Sequence, residues 1–397
     1  MVIGMNGEGK EITCRERLLT ALAHKEPDRV PFDLGSTKIT GISFTAYKNL
    51  IEYKGWNNSD PQHEVSDTVQ QLAKVREDVL QRLGVDVRGL IPSSPSQWAP
   101  EYKDGGEHIQ FTDEWGITWR KPKNGGFYFD MVNHPLAGSI ESSDLVKFKW
   151  PDPLDDTRTS GFIEQISRFR SQGDYGLTLH GVCAGLMEMA LRLRGFENFF
   201  VDLALEPDLA CNMLDRITEI KIAYWDKTLE QVGNDIAVAV EADDLGTQDS
   251  FLISADMYRK YIKPRHYRIF SFIKKKAPHV KVFLHSCGAI LPLIHDLIEA
   301  GVDILNPVQV SAKDMNTKVL KKEFGKDITF WGGGIDTQKV LPYGSPDEVR
   351  DEVRRRIDDL APGGGFVFNT VHNIQADVPP RNIEAMVNAL QEYGHYR

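Results

Sequence analysis

The 397-residue sequence is 41% hydrophobic and 26% charged, an ordinary composition for a globular protein with a large core. Its formal charge of -10 argues against a surface that binds nucleic acid or anionic membrane. No apolar run approaches the roughly 20 residues of a membrane span, and the N-terminus lacks a signal-peptide pattern. The four cysteines are too scattered for a disulfide framework. We therefore expect a cytoplasmic protein.

In chain order, the pattern predicts a helical extension over residues 1–29, where "CRERLLTALAHKEPDRV" is helical. Short apolar runs then alternate with amphipathic helical stretches. The eight runs are "RVPFDLG", "GVDVRGLIP", "YGLTLHGV", "IAVAVEADDLG", "VKVFLHSCG", "VDILNPVQ", "ITFWGGGID" and "GGFVFNTVH". Eight strands separated by helices favour a (β/α)8 TIM barrel over an open doubly wound sheet.

Residues 95–150 interrupt this alternation. The stretch "HIQFTDEWGITWRKPKNGGFYFDM" alternates aromatic residues and contains an Asn-Gly turn, which predicts a β-hairpin excursion. We interpret the hairpin and the N-terminal extension as additions to a single barrel domain that spans residues 1–397.

Polar and titratable residues follow the carboxyl ends of the predicted strands, the face at which such barrels place their active sites. They are His180 after the third run, Glu241, Asp243 and Asp244 after the fourth, His285 and Cys287 after the fifth, Asn306 and Gln309 after the sixth, Asp336 after the seventh, and His372 and Asn373 after the eighth. This concentration of polar groups predicts an active site at that rim.

His285 and Cys287 are the most informative pair. Side chains two residues apart on a strand point to the same side, so both can reach one ion at the barrel mouth. Imidazole and thiolate suit Zn²⁺, and His372 is a natural third ligand. The alternative is structural, because a buried Cys is often inert and a His often caps a strand.

The remaining candidates have two interpretations each. Glu241, Asp243 or Asp244 would supply a fourth ligand or orient the other ligands, and we include all three among the catalytic candidates. Asp243 and Asp244 would alternatively cap the turn "DLGTQDS". His180 fits a polar pocket residue better than a ligand.

Several long stretches resemble the uroporphyrinogen decarboxylase-like superfamily of (β/α)8 barrels. They are "RERLLTALAHKEPDRVPFDLG", "LRLRGFENFFVDLALEPDLACNMLD", "DDLGTQDSFLISADMYRKYIKPRHYRIFSFIKK", "FLHSCGAILPLIHDLIEAGVDILNPVQ" and "GGGFVFNTVHNIQADVPPRNIEAMVNAL". The decarboxylases of this superfamily hold a tetrapyrrole with arginines after strand one and use an aspartate after strand two. The corresponding segments here, "DLGSTKITGISF" and "GLIPSSPSQWAP", carry neither.

The other branch that the chain resembles comprises corrinoid-dependent methyltransferases, which bind zinc through His-x-Cys after strand five and a further Cys or His after strand eight. "HSCG" matches the first element, and "TVHN" places His372 where the methylcobamide:coenzyme M enzymes have cysteine. The resemblance thus implies Zn²⁺ on His285, Cys287 and His372. It also implies a corrinoid supplied by a partner protein, since no Asp-x-His-x-x-Gly motif occurs in this chain.

The predicted function is methyl transfer between a small substrate (a methoxylated aromatic, a methylamine or a thiol) and that corrinoid protein. The alternatives are a decarboxylase of another acid and a non-enzymatic binding barrel. We expect no nucleic-acid or membrane partner, and a homodimer is one assembly that the resemblance allows.

Overall fold

A seven-stranded parallel sheet forms the centre of the computed structural model, which describes residues 12–56 and 64–396. Each strand of this sheet pairs with the next barrel strand along the chain. Parallel pairing of this kind requires a crossover connection on one face each time. The strands are Val87–Leu90, Gly176–His180, Val238–Ala242, Lys281–His285, Ile304–Asn306, Thr329–Trp331 and Phe366–Val367. Their residues are almost all buried, as expected of parallel strands covered on both faces.

The first predicted run closes this sheet, but not as a regular strand. Phe32 forms a parallel bridge with Phe368, and the Asp86 N–H donates to the Phe32 carbonyl at 2.8 Å. The segment thus lies between the first and last strands, in the eighth position of the barrel. Pro31 has no N–H to donate, which limits the pairing on this side. The prediction of a TIM barrel is confirmed, with this one correction.

Helices lie between successive strands and cover the outside of the barrel. The predicted helix after the seventh run begins with a capping box, in which Ser345 and Glu348 bond to each other's backbone N–H groups. The helices are Cys14–Leu22, Phe44–Lys54, Glu77–Leu83, Ser142–Lys147, Phe162–Gln172, Leu186–Arg194, Phe196–Leu205, Pro207–Val232, Ala255–Met257, Lys263–Lys276, Ile294–Ala300, Thr317–Phe324, Val340–Tyr343, Pro346–Leu360 and Pro380–Tyr393, with short 3₁₀ or π turns at Asp156–Arg158, Tyr258–Ile262 and Leu291–Leu293. Within the described ranges, none of these helices has the length and apolar character needed to cross a bilayer.

Of the predicted N-terminal extension, residues 1–11 lie outside the described part of the chain. The rest contains the helix Cys14–Leu22, which begins with a capping box between Thr13 and Glu16. Its buried leucines Leu18 and Leu22 pack with the side chains of the barrel interior. The extension therefore covers one end of the barrel.

The excursion over residues 95–150 is larger than the predicted hairpin. It forms a four-stranded antiparallel sheet, in which Trp119 pairs with Phe111 on one side and with Met131 on the other. A second sheet, of two strands, lies earlier in the chain and was not predicted. The strands of the two sheets are Lys103–Asp104, His108–Thr112, Thr118–Pro122 and Asp130–Asn133, and Val65–Asp67 and Leu72–Ala73.

Side-chain alternation along the barrel strands decides which polar groups face inward. Val238, Val240 and Phe283 belong to the cluster that fills the barrel interior. Because successive residues of a strand point to opposite faces, His285 shares the inward face of Phe283. By the same alternation, Glu241 points outward, towards the helices.

Candidate metal centre

His285, Cys287 and His372 converge at the carboxyl end of the sheet. One ligand atom from each residue lies within 4.8 Å of the corresponding atoms of the other two. The Cys287 Sγ is 3.5 Å from the His285 Nε2, and the two imidazole centroids are 5.6 Å apart. The structure therefore brings the three predicted ligands together from two different strand ends.

A hydrogen-bond chain fixes the tautomer of His285. Its Nδ1 lies 2.6 Å from the Asn306 Oδ1, and the Asn306 Nδ2 donates to the Trp331 carbonyl at 2.7 Å. The second bond orients the amide so that its oxygen faces the imidazole, which then donates from Nδ1. The lone pair of Nε2 is thereby directed at the Cys287 thiol and remains available to a cation.

Burial sets the protonation of the other two ligands. Burial, and then the charge of His285, lowers the pKa of His372 to about 3, although Glu188 opposes the shift. The imidazole is therefore neutral near pH 7. Burial, followed by the charges of Asp244 and Glu188, raises the pKa of the Cys287 thiol well above its usual range, so binding of a cation must displace the thiol proton.

This donor set fits zinc. Tetrahedral zinc, with bonds of about 2.1 Å to nitrogen and about 2.3 Å to sulfur, holds its ligand atoms about 3.5 Å apart. The observed Sγ–Nε2 separation of 3.5 Å matches that value. Three protein ligands leave one coordination position for substrate, as in catalytic zinc sites.

Asp244 lies beside this cluster. Its Oδ1 accepts the Cys287 backbone N–H at 2.8 Å and is 3.6 Å from the His285 Nε2. The side chain is half-buried. Burial raises the pKa of this carboxyl, and the charges of Glu188 and Asp243 add to the shift, whereas His285 opposes it. Asp244 is therefore the predicted carboxylate that the structure places next to the cluster.

Asp243 serves the neighbouring helix instead. Its two oxygens accept the backbone N–H groups of Met187 at 3.0 Å and Glu188 at 2.9 Å, and the His266 Nε2 lies 2.9 Å from Oδ2. A carboxylate in this position satisfies donors at the start of the helix Leu186–Arg194. Asp243 therefore holds that helix against the barrel rather than joining the three ligands.

Glu241 is likewise committed elsewhere. It accepts hydrogen bonds of 2.6 Å from the Lys221 Nζ and from the Trp225 Nε1, both on the helix Pro207–Val232. All three side chains are buried. This outward placement removes Glu241 from the candidates for the open coordination position.

His180 ends the strand Gly176–His180 and does not join the cluster. Its Nε2 accepts the Lys38 backbone N–H at 3.1 Å. Burial lowers the pKa of His180 to about 3, and the charges of Lys38, Lys221 and His285 act in the same direction. The imidazole is therefore neutral near pH 7, with one nitrogen occupied, and its role in a pocket stays a prediction.

Two residues near the cluster were missed at the level of sequence. Glu188 forms an ion pair with Arg192 one helical turn later, and its charge acts on His372 and Cys287. Tyr128 lies in the loop between the strands Thr118–Pro122 and Asp130–Asn133, and burial together with the charge of Cys287 raises its pKa to about 12. Neither residue follows a predicted barrel strand, so no strand-end signal identified it.

The two added sheets lie over the barrel mouth, and we call them the roof. The Phe129 N–H of the larger sheet donates to the Val69 carbonyl beside the smaller one at 2.9 Å. The Gln70 Oε1 accepts from the Asn373 Nδ2 at 2.8 Å, next to His372. The roof therefore contacts the barrel mouth beside His372.

A parallel barrel with a thiol and two imidazoles at its mouth defines the class of this protein as a TIM barrel with a metal-competent site. The family model described as uroporphyrinogen decarboxylase (URO-D) matches residues 131–393, and the chain belongs to this family. No arginine clamp of the kind expected of a tetrapyrrole enzyme accompanies the site, since the loop 35–41 carries one cation, Lys38, within ion-pair distance of Asp67 at 3.4 Å.

Among its relatives, the chain is 25% identical over 244 residues to a methylated-thiol–coenzyme M methyltransferase of Methanosarcina mazei, a match that spans 61% of each chain. It is 22% identical over 387 residues to a uroporphyrinogen decarboxylase of Alkalilimnicola ehrlichii, covering 95% of this chain and 93% of that one. A solved structure of a methyltransferase from Methanosarcina mazei shares the fold, with a TM-score of 0.64 and 20% identity over 96% of this chain and 99% of the other. These family members are enzymes, either methyltransferases or decarboxylases.

Proposed function

We propose that this protein is a zinc-dependent methyltransferase that moves a methyl group between a small substrate and a separate corrinoid protein. The observation that carries the proposal is the convergence of His285, Cys287 and His372 within 4.8 Å. The relationship to a methyltransferase that acts on methylated thiols supports the reaction class. The corrinoid partner and the substrates, namely methoxylated aromatics, methylamines or thiols, belong to the proposal.

The residues around the open coordination position have different roles. Bound zinc would supply Lewis acidity to the ether, alcohol or thiol atom of the substrate. Asn306 holds His285 with Nε2 directed at the site. Asp244, beside Cys287, is positioned to take the proton of an incoming thiol or to return one to a leaving oxygen.

The identity of the third ligand bears on the substrate. A neutral His372 in place of a thiolate leaves the site with one negative charge fewer than a His-Cys-Cys site. Such a site is the stronger Lewis acid, which suits polarisation of an ether oxygen more than activation of a thiol. We therefore place methoxylated aromatics first among the substrates.

Decarboxylation of a tetrapyrrole is disfavoured by the charges at the mouth. A porphyrinogen carries up to about eight carboxylates and calls for several arginines. In the segment 33–44, the only cation is Lys38, and it already faces Asp67.

The test is a transfer assay with zinc-loaded protein, a reduced corrinoid protein and a panel of methoxylated aromatics, methylamines and methylated thiols, followed through the absorbance of the corrinoid. We expect transfer from at least one ether. In His372→Cys, we expect zinc to be retained and the preference to shift from ethers towards thiols. Absence of transfer with the whole panel, or release of carbon dioxide from an acid, would overturn the proposal.

A further inference from the structure

We infer that Lys121, in the roof, holds a carboxylate or sulfonate on the part of the substrate remote from its methyl group. That this anion belongs to a methyl donor or acceptor rests on the proposed function. The substrate class becomes methyl ethers or thioethers that carry an anionic group.

Lys121 is a half-buried cation without a counter-charge. Its Nζ donates to the Gln71 Oε1 at 2.7 Å and lies 5.3 Å from the centre of the Phe129 ring. Within residues 12–56 and 64–396, no carboxylate forms an ion pair with it, and burial alone shifts the pKa of this ammonium, downwards. By contrast, Lys123 on the same segment is exposed and pairs with Asp104 at 2.7 Å.

Hydrogen bonds connect the neighbourhood of Lys121 to the barrel mouth. Gln71, its hydrogen-bond partner, follows Gln70, whose Oε1 binds Asn373 next to the ligand His372. On its other side, the ammonium lies over the ring of Phe129, whose backbone N–H donates to the Val69 carbonyl at 2.9 Å. The ammonium therefore lies one residue removed from Gln70, which binds the neighbour of His372.

The strand itself points Lys121 inward. Trp119, two residues earlier, is buried, and the Arg192 guanidinium lies 5.3 Å from its ring centre. Residues two apart on a strand share a face, so Lys121 faces the barrel mouth as Trp119 does. Arg192, the other inward cation in this region, is already paired with Glu188.

The partner of the ammonium is held in an unusual conformation. Gln71 has a φ of 54°, a left-handed value that non-glycine residues adopt rarely and that often marks functional sites. Its amide Nε2 donates to the Thr68 carbonyl at 2.5 Å, which turns its oxygen towards Lys121. One N–H of the ammonium is thereby fixed, and two remain for a ligand.

These features select for an anion. A half-buried ammonium forms charge-assisted hydrogen bonds to carboxylate or sulfonate that are stronger than neutral ones. A methylammonium substrate would face an unpaired positive charge here and be repelled. The cation thus discriminates among the three substrate types left open by the metal-competent cluster.

The test compares matched pairs of compounds, 3-methoxybenzoate with 3-methoxybenzamide and 3-(methylthio)propanoate with 3-(methylthio)propanamide. Binding to the zinc-loaded protein is measured by calorimetry without corrinoid protein. We expect at least one carboxylate to bind about tenfold or more tightly than its amide. This preference should vanish in Lys121→Met and persist in Lys121→Arg and in the control Lys123→Met.

Two outcomes would overturn the inference: no carboxylate of either pair binds, or the carboxylate preference survives in Lys121→Met. A protein that transfers methyl groups from the neutral amides but shows no such preference keeps the proposed function and loses the anion site. A protein that binds carboxylates through Lys121 but transfers no methyl group keeps the anion site and loses the proposed function.

Discussion

Two adjacent strands of the barrel end in residues of similar chemistry and use them in opposite ways. Val238–Ala242 and Lys281–His285 pair in parallel, with Ala242 opposite His285. At the end of the first strand, Glu241 binds a buried lysine and a tryptophan, and Asp243 binds a helix N-terminus. At the end of the second strand, an imidazole and a thiol point at each other across 3.5 Å.

The comparison shows that a titratable residue at a strand end is a candidate for chemistry only when its atoms are not already used. Glu241 and Asp243 are buried with their oxygens occupied. His285 uses Nδ1 for support and keeps Nε2 for a ligand. The supported but incompletely bonded group is the one that can bind a metal.

Removal of the thiol should have the largest effect on the difference between the two strand ends. In Cys287→Ala we expect zinc to fall from about one per chain to a small fraction, because one of three ligands is lost. Cys183→Ala is the matched control, since Cys183 is also half-buried and follows another barrel strand, Gly176–His180, and it should retain zinc. Metal analysis by mass spectrometry measures both, and equal zinc contents would contradict the assignment.

A substitution at the other strand end should lower the free energy of unfolding and leave the zinc content unchanged. Glu241→Gln leaves the buried Lys221 ammonium without its counter-charge, and loss of one partner of a buried pair costs about 3–5 kcal/mol. Urea unfolding measures this change, while the zinc content should stay at the wild-type value. Adding Lys221→Met to the same variant should restore much of the loss. A stable Glu241→Gln variant that lost zinc would reverse the two roles.

A smaller effect should come from the support of His285. Asn306→Leu removes the acceptor of the Nδ1–H bond, and such changes typically weaken metal binding about 10–100-fold. Asn306→Asp keeps an acceptor and should retain tight binding. Competition with a chromophoric chelator measures both affinities. An unchanged affinity in Asn306→Leu would show that the tautomer of His285 is fixed by something else.

The fold was predictable because it depends on local alternation. Continuous apolar runs separated by helical patterns predicted the barrel, and seven of the eight runs are strands. The first run joins the barrel sheet at a single bridge, Phe32 with Phe368, because Pro31 has no N–H to continue a ladder. The excursion was underestimated, since cross-strand pairs such as Phe111 with Trp119 depend on how far a hairpin continues to pair, which aromatic spacing does not reveal.

The residues of the candidate site were predictable only where they follow the ends of barrel strands. His285, Cys287 and His372 follow strands whose ends meet at one rim. The direction of Glu241 depends on which face of its strand meets the helix with Lys221, and Tyr128 arrives from outside the barrel. Roles in catalysis, the single-domain extent, the cytoplasmic location and the homodimer stay predictions.

The loop after the thiol restricts how this sequence can diverge. Gly288 has a φ of 100°, and a Cβ added to it would lie 2.5 Å from the Gly246 carbonyl carbon, while one added to Gly246 would lie 2.9 Å from the Cys287 oxygen. Each glycine thus makes room for the loop of the other. Descendants that keep the thiol at position 287 in this loop should therefore inherit both glycines together.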